Sequence, residues 1–179
     1  MPKKPMDAIA LLKADHRKVE GLFARFERAK DKRVKKSLAT EICTELTVHT
    51  IVEEEIFYPA CRQAADEDLR LEAYVEHDGA KVLIAEIEAS DPDNEFYDAK
   101  VKFLSELIKH HVHEEEQRSE GMFAQAREAG LDMDDLGERI AQRKEQLLAD
   151  FKTGDLPAPQ TRSFTGHELR QGEPVSAQA

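Results

Sequence analysis

Proline is nearly absent from the middle of this chain: between Pro5 and Pro157 only Pro59 and Pro92 occur. Proline inside a helix removes a donor and clashes with the preceding turn, at a cost of about 3 kcal/mol. Its absence leaves long stretches free to be helical, and the apolar spacing fills them. A first helix over residues 7–29, with Asp7 as N-cap, carries a stripe of Ile9, Leu12, His16, Val19, Phe23 and Phe26 at alternating steps of three and four. A second runs from about 32 to 58 and is ended by Pro59; its stripe is Leu38, Ile42, Leu46, His49, Glu53 and Ile56. A third, from about Asp66 to just before Ser90, carries Ala73, His77, Ala80, Ile84 and Ile87. A fourth, from about Asp93 to at least Glu116, carries Val101, Leu104, Ile108, His111 and Glu115. A shorter one over residues 133–151 carries Leu136, Ile140, Leu147 and Phe151. No useful alternating pattern occurs, so the fold class is all-α.

Each of the four long stripes contains one histidine, and two of these are followed by a glutamate four residues later on the same face: His49 with Glu53, and His111 with Glu115. The pattern is duplicated. His16 and His49 lie 33 residues apart, His77 and His111 lie 34 apart, and residues 46–55 overlay residues 108–117 at an offset of 62. A separation of this size fits half a helix, a short loop and a return to the same level. Two such hairpins predict an antiparallel up-down four-helix bundle with an additional C-terminal helix. In it His16, His49, Glu53, His77, His111 and Glu115 meet at one height in the core.

Uncompensated carboxylates are costly in an apolar interior. A metal pair removes the cost, because cations keep carboxylates ionised and imidazoles neutral. Imidazole with carboxylate suits iron, manganese or zinc. Two bridging carboxylates with terminal imidazoles describe a dinuclear centre, with a solvent-derived oxo or hydroxo group between the ions.

At these residues the chain resembles the hemerythrin-like (HHE cation-binding) domains. The likeness rests on Ala14-Asp15-His16-Arg17, on His49 through Glu53-Glu54 to Phe57-Tyr58-Pro59, on Glu76-His77, and on the run His110 to Glu116. It covers about residues 7–150. The resemblance implies a non-haem diiron centre and binding of oxygen, nitric oxide or peroxide, or sensing of oxygen or iron. Two departures stand out. Many oxygen-carrying members have a second histidine one turn from the helix-3 histidine, where this chain has Ala73 and Lys81. The resulting open position is what a catalytic metal site keeps, and it points away from reversible oxygen carriage. Also, Gln117-Arg118-Ser119 are extra before Gly121-Met122-Phe123, and Ala124 stands where proline is usual, so a bulge or kink is expected there. The expected function is oxidant binding or sensing. The alternatives are a catalase-like peroxide-detoxifying enzyme, or an iron-dependent structural or signalling module.

The remaining residues read more plainly. His110 is expected at the boundary of the site and His113 in solvent; Glu54 and Glu116 read chiefly as salt-bridge partners, Tyr58 as aromatic packing. Cys43 is a packed hydrophobe, with Cys61 more exposed. The basic stretch from Arg25 to Lys36 reads as a solvated helix end and turn. With 26 Lys+Arg against 37 Asp+Glu, the net charge of −11 argues against nucleic acid. Apolar residues at 40% argue for a real core. No apolar run spans a bilayer or makes a secretory signal, and two cysteines 18 residues apart give no disulfide framework. The expectation is a cytoplasmic protein with a small gas or peroxide as partner and no protein partner specified. Residues 1–154 form the bundle domain, and 155–179, including His167, form a flexible tail.

Overall fold

Asp7 caps the first helix as its composition suggests: its carboxylate accepts from the Ala10 N–H at 2.9 Å. The helix, α1, is Ala8–Arg28. The computed structural model describes residues 6–154 and 159–166; His167 and the rest of the expected tail lie outside the described residues. Asp31 caps α2, Lys32–Val52. Asp66 caps α3, Glu67–Glu88, and α4 is Tyr97–Glu116. Two further helices follow, α5 (Met122–Glu128) and α6 (Met133–Thr153).

Among the described residues the fold is all-helical. α1 packs chiefly on α2 and α3 on α4, with α2 against α3 and α1 against α4, closing a four-helix bundle. α6 lies across α1 and α2. The stripes face inward. The buried residues form two apolar clusters, one including Leu12, Phe57, Met122 and Leu147, the other Phe23, Phe26, Ile42 and Leu104. The histidines sit between them.

Four local expectations change. The second helix does not run unbroken to Tyr58: α2 gives way to a π-helical turn at Glu53–Phe57, and the chain stays helical through Pro59. The fourth helix starts at Tyr97 because Asp91 and Asn94 side chains accept from the N–H groups of Asp93 and Phe96, both at 2.9 Å, and hold the backbone in turns. The expected bulge after Glu116 is a full break, and α5 is a helix of its own. Gly121 permits this, since a Cβ there would stand 2.5 Å from the Glu115 carbonyl oxygen. Finally, Phe151 is 42% exposed and Cys61 fully buried, the reverse of what was expected.

Gly137 lets α6 rest directly on the start of α1: an added Cβ would meet the Met6 carbonyl oxygen at 2.5 Å and the Ala8 nitrogen at 2.9 Å. Backbone cannot yield as a flexible side chain can, so Gly137→Ala is expected to destabilise by about 1–3 kcal/mol. Gly21, exposed on α1 with nothing within 4 Å of the same position, is the control. Gly21→Ala should stabilise by about 0.5–1 kcal/mol. Urea unfolding of the two variants checks both signs.

Candidate metal centre

The bundle brings all six sequence-predicted residues together. His16, His49, His77, His111, Glu53 and Glu115 are at most 4% exposed. His16 Nε2 lies 3.1 Å from His49 Nε2, and His77 Nε2 lies 3.2 Å from His111 Nε2. Glu53 Oε2 lies 3.1 Å from His49 Nε2 and 3.3 Å from His77 Nε2. Glu115 Oε2 lies 3.4 Å from His16 and 3.5 Å from His111. The donors fall into two groups able to hold an ion: His16, His49, Glu53 and Glu115, and Glu53, His77 and His111. Glu53 belongs to both. Glu53 Oε1 and Glu115 Oε2 are buried without a hydrogen-bond partner. Orphaned carboxylate oxygens among inward-facing imidazole nitrogens are what a cation would satisfy.

The outer nitrogens are as ordered as the inner ones. His16 Nδ1 faces Glu116 at 2.7 Å and His111 Nδ1 faces Glu76 at 2.7 Å. His49 Nδ1 faces Asp15 at 3.3 Å and His77 Nδ1 faces Glu54 at 3.2 Å. A carboxylate at Nδ1 keeps the proton there and turns the Nε2 lone pair inward. Each outer acid is in turn held by a basic group: Asp15 by Lys144 of α6, Glu116 by Arg17 at 2.7 Å, Glu54 by Lys81 at 2.6 Å, and Glu76 by His110 at 3.4 Å.

The duplication governs these partners too. Asp15 precedes His16 and serves His49; Glu76 precedes His77 and serves His111. Glu54 follows Glu53 and serves His77; Glu116 follows Glu115 and serves His16. Asp15 and Glu76 stand in the motifs that carry the resemblance but were given no role from the sequence, though an acid before the single histidine of each hairpin was the available signal. His110 is more than half exposed and lies near Glu76 and Glu114 outside the core, and His113 is exposed.

Tyr58 is the residue that the spacing argument missed. Its hydroxyl donates to Glu115 Oε1 at 2.9 Å and lies 3.2 Å from His77 Nε2 and 3.3 Å from Glu53 Oε2. In an α-helix a residue five beyond Glu53 points well away from it. The π-helical turn, whose Tyr58 N–H bonds the Glu53 carbonyl, brings the two onto one side. Burial, then the Glu115 and Glu53 carboxylates, pushes the phenol well above its ordinary range, so it keeps its proton.

In the cation-free protein the charges divide unevenly. Burial works against the ionised form of Glu53, but His49 and His77 outweigh it and hold the carboxyl well below the usual range. Glu115 is pushed up, by burial and then by Glu53. Burial alone would lower His49, but Glu53 and Asp15 hold its imidazole up at about 10. Burial, then His49, pushes His16 down to about 4.

Fold and site together define a helical bundle built around a buried cluster of His and Glu donors able to hold cations. The chain belongs to the hemerythrin HHE cation binding domain family, whose model matches residues 7–123. Domains of this family bind metal cations. The chain is similar to a DNA nickase of Nostoc sp. (strain PCC 7120 / SAG 25.82 / UTEX 2576), at 30% identity over 114 residues. The match covers 64% of this chain and 32% of that protein, so the chain spans about a third of the relative's length. Its fold is similar to the crystal structure of a hemerythrin HHE cation binding domain-containing protein from Mycobacterium kansasii. The TM-score is 0.67 at 20% identity, over 84% of this chain and 94% of that one. No helix among the described residues is long and apolar enough to cross a membrane.

A cation held by these residues would have to displace the proton favoured on His49, whose imidazole Glu53 and Asp15 hold up at about 10. His49 is protonated in the free state and neutral when ligating, so affinity should rise with pH up to about 10. Competition titrations with zinc at pH 6, 7 and 8 should show tighter binding at each step. A pH-independent affinity would contradict the assignment.

Proposed function

We infer that the bundle is a non-haem diiron protein that binds or senses a small oxidant: oxygen, nitric oxide or peroxide. The observation that carries this reading is the inward convergence of four Nε2 atoms, each fixed by a carboxylate on its Nδ1. In this reading His16 and His49 hold one ion, His77 and His111 the other, and Glu53 and Glu115 serve both. A pair of iron ions there would supply Lewis-acid and redox chemistry toward such a ligand. Manganese or zinc fits the same donors.

The chain's own residues set what can approach. The space at the centre is about 10 Å³, walled in part by Val19, Leu46, Ile108 and Val112. So small a volume favours a diatomic molecule or peroxide over a bulky solute. Peroxide turnover is the second reading, and Tyr58 favours it: the buried hydroxyl, which keeps its proton, can donate a hydrogen bond to a ligand oxygen at the centre as it does to Glu115. Two peroxide molecules would then give one oxygen and two waters.

Iron analysis of His111→Ala and His113→Ala tests the site. His111→Ala should lose most of the bound iron and His113→Ala should keep it; the opposite result would put the fourth helix in the wrong register. Oxygen evolution on adding peroxide to the iron-loaded protein supports the enzyme. A ligand-dependent absorption spectrum without turnover supports the binder. Loss of helix on chelation with neither signal would point to a structural role for the iron.

A further inference from the structure

Resting on that reading of the centre, we propose that Arg162, carried on a strap of residues 159–166 docked against α3, is a positioning residue for the metal centre, holding Glu54 against His77 from outside the bundle. Asp78 makes the dock. It follows His77 in sequence, is fully buried, and points away from the ligands. Its Oδ2 accepts the backbone N–H groups of Arg162 at 2.8 Å, Ser163 at 2.6 Å and Phe164 at 3.3 Å, and the Ser163 hydroxyl at 2.7 Å. Lys81 ties the same place together, donating to Asp78 Oδ1 at 3.2 Å, to Glu54 Oε1 at 2.6 Å and to the Gln160 carbonyl at 2.9 Å. A buried carboxylate is costly unless donors meet it, and among the described residues four of the five hydrogen bonds that Asp78 accepts come from the strap.

The strap places Arg162 on two routes into the centre. Arg162 Nε donates to Glu54 Oε2 at 2.6 Å, and Glu54 Oε1 faces His77 Nδ1 at 3.2 Å. The guanidinium also sits 5.9 Å from the centroid of the Tyr74 ring. Tyr74 packs edge-on against Tyr58 at 5.2 Å, and the Tyr58 hydroxyl reaches four of the inward-facing side chains. Under the strap lies a cavity of about 340 Å³ between Thr47, Thr50, Glu54 and Arg162. Thr50 also walls the space at the centre. Docking of the strap therefore fixes the Glu54 carboxylate that faces His77 and covers the bundle flank beside Glu54. Groups that hold a ligand's outer nitrogen commonly alter metal affinity ten- to hundredfold.

The test uses the full chain and zinc, with Arg162→Ala, Arg162→Lys, Ser163→Asp and, as control, Gln160→Ala, whose backbone carbonyl is retained. Ser163→Asp sets a second carboxylate against Asp78 and should release the strap. Three results are expected. Amides 162–164 are protected from hydrogen exchange in the parent protein and lose protection in Ser163→Asp. Zinc loss to a chelator quickens about tenfold in Arg162→Ala and Ser163→Asp, with Arg162→Lys close to the parent and Gln160→Ala unchanged. The ring ¹⁵N signals of His77 in the metal-free protein shift in Arg162→Ala and return toward the parent in Arg162→Lys. Unprotected amides in the parent protein would overturn the proposal, as would zinc loss and His77 signals that stay unchanged when the strap is released. A parent protein that takes up no zinc would sink the reading of the centre, while the His77 signals would still decide the role of Arg162.

Discussion

Everything in this bundle is arranged around one costly burial: imidazole nitrogens and carboxylate oxygens facing one another about 3 Å apart in the core, with two of the carboxylate oxygens unpartnered. A core of this composition gains little from hydrophobic burial at that level and carries a large desolvation penalty. Apolar clusters above and below the site supply the packing that holds it together. Cations between the donors would turn that penalty into binding energy and would tie the stability of the bundle to its loading.

The ring of acids outside the histidines is the second layer of the same design. Asp15, Glu54, Glu76 and Glu116 each hold one outer ring nitrogen, and each is anchored by a basic group. Part of the chain's acid excess therefore serves to orient the four histidine rings. Lys144 brings α6 into this layer, and Arg162 brings in the strap. α6 and residues 159–166 are thus connected to the centre by short chains of hydrogen bonds.

Most of the fold was legible in the sequence because long helices with one apolar stripe declare themselves by period. His16, His49, His77 and His111 were legible because two hairpins repeat the same spacing. Tyr58 was not, because its place depends on a π-helical turn that the α-helical period of Glu53 and Ile56 does not announce. The separate helix α5 was hidden in a short segment around Gly121, where close backbone approach rather than periodicity sets the path. The docking of residues 159–166 was hidden for a different reason. Its contacts are backbone N–H groups reading one buried Asp78, and backbone donors leave no mark in a sequence.

Anomalous diffraction at the iron edge from crystals of the iron-loaded protein tests the central claim most directly. Two peaks are predicted inside the bundle, one bounded by the Nε2 atoms of His16 and His49 and the other by those of His77 and His111, with Glu53 and Glu115 reaching both. A single peak, or iron confined to the surface group of Glu72, Glu76, His110 and Glu114, would contradict it.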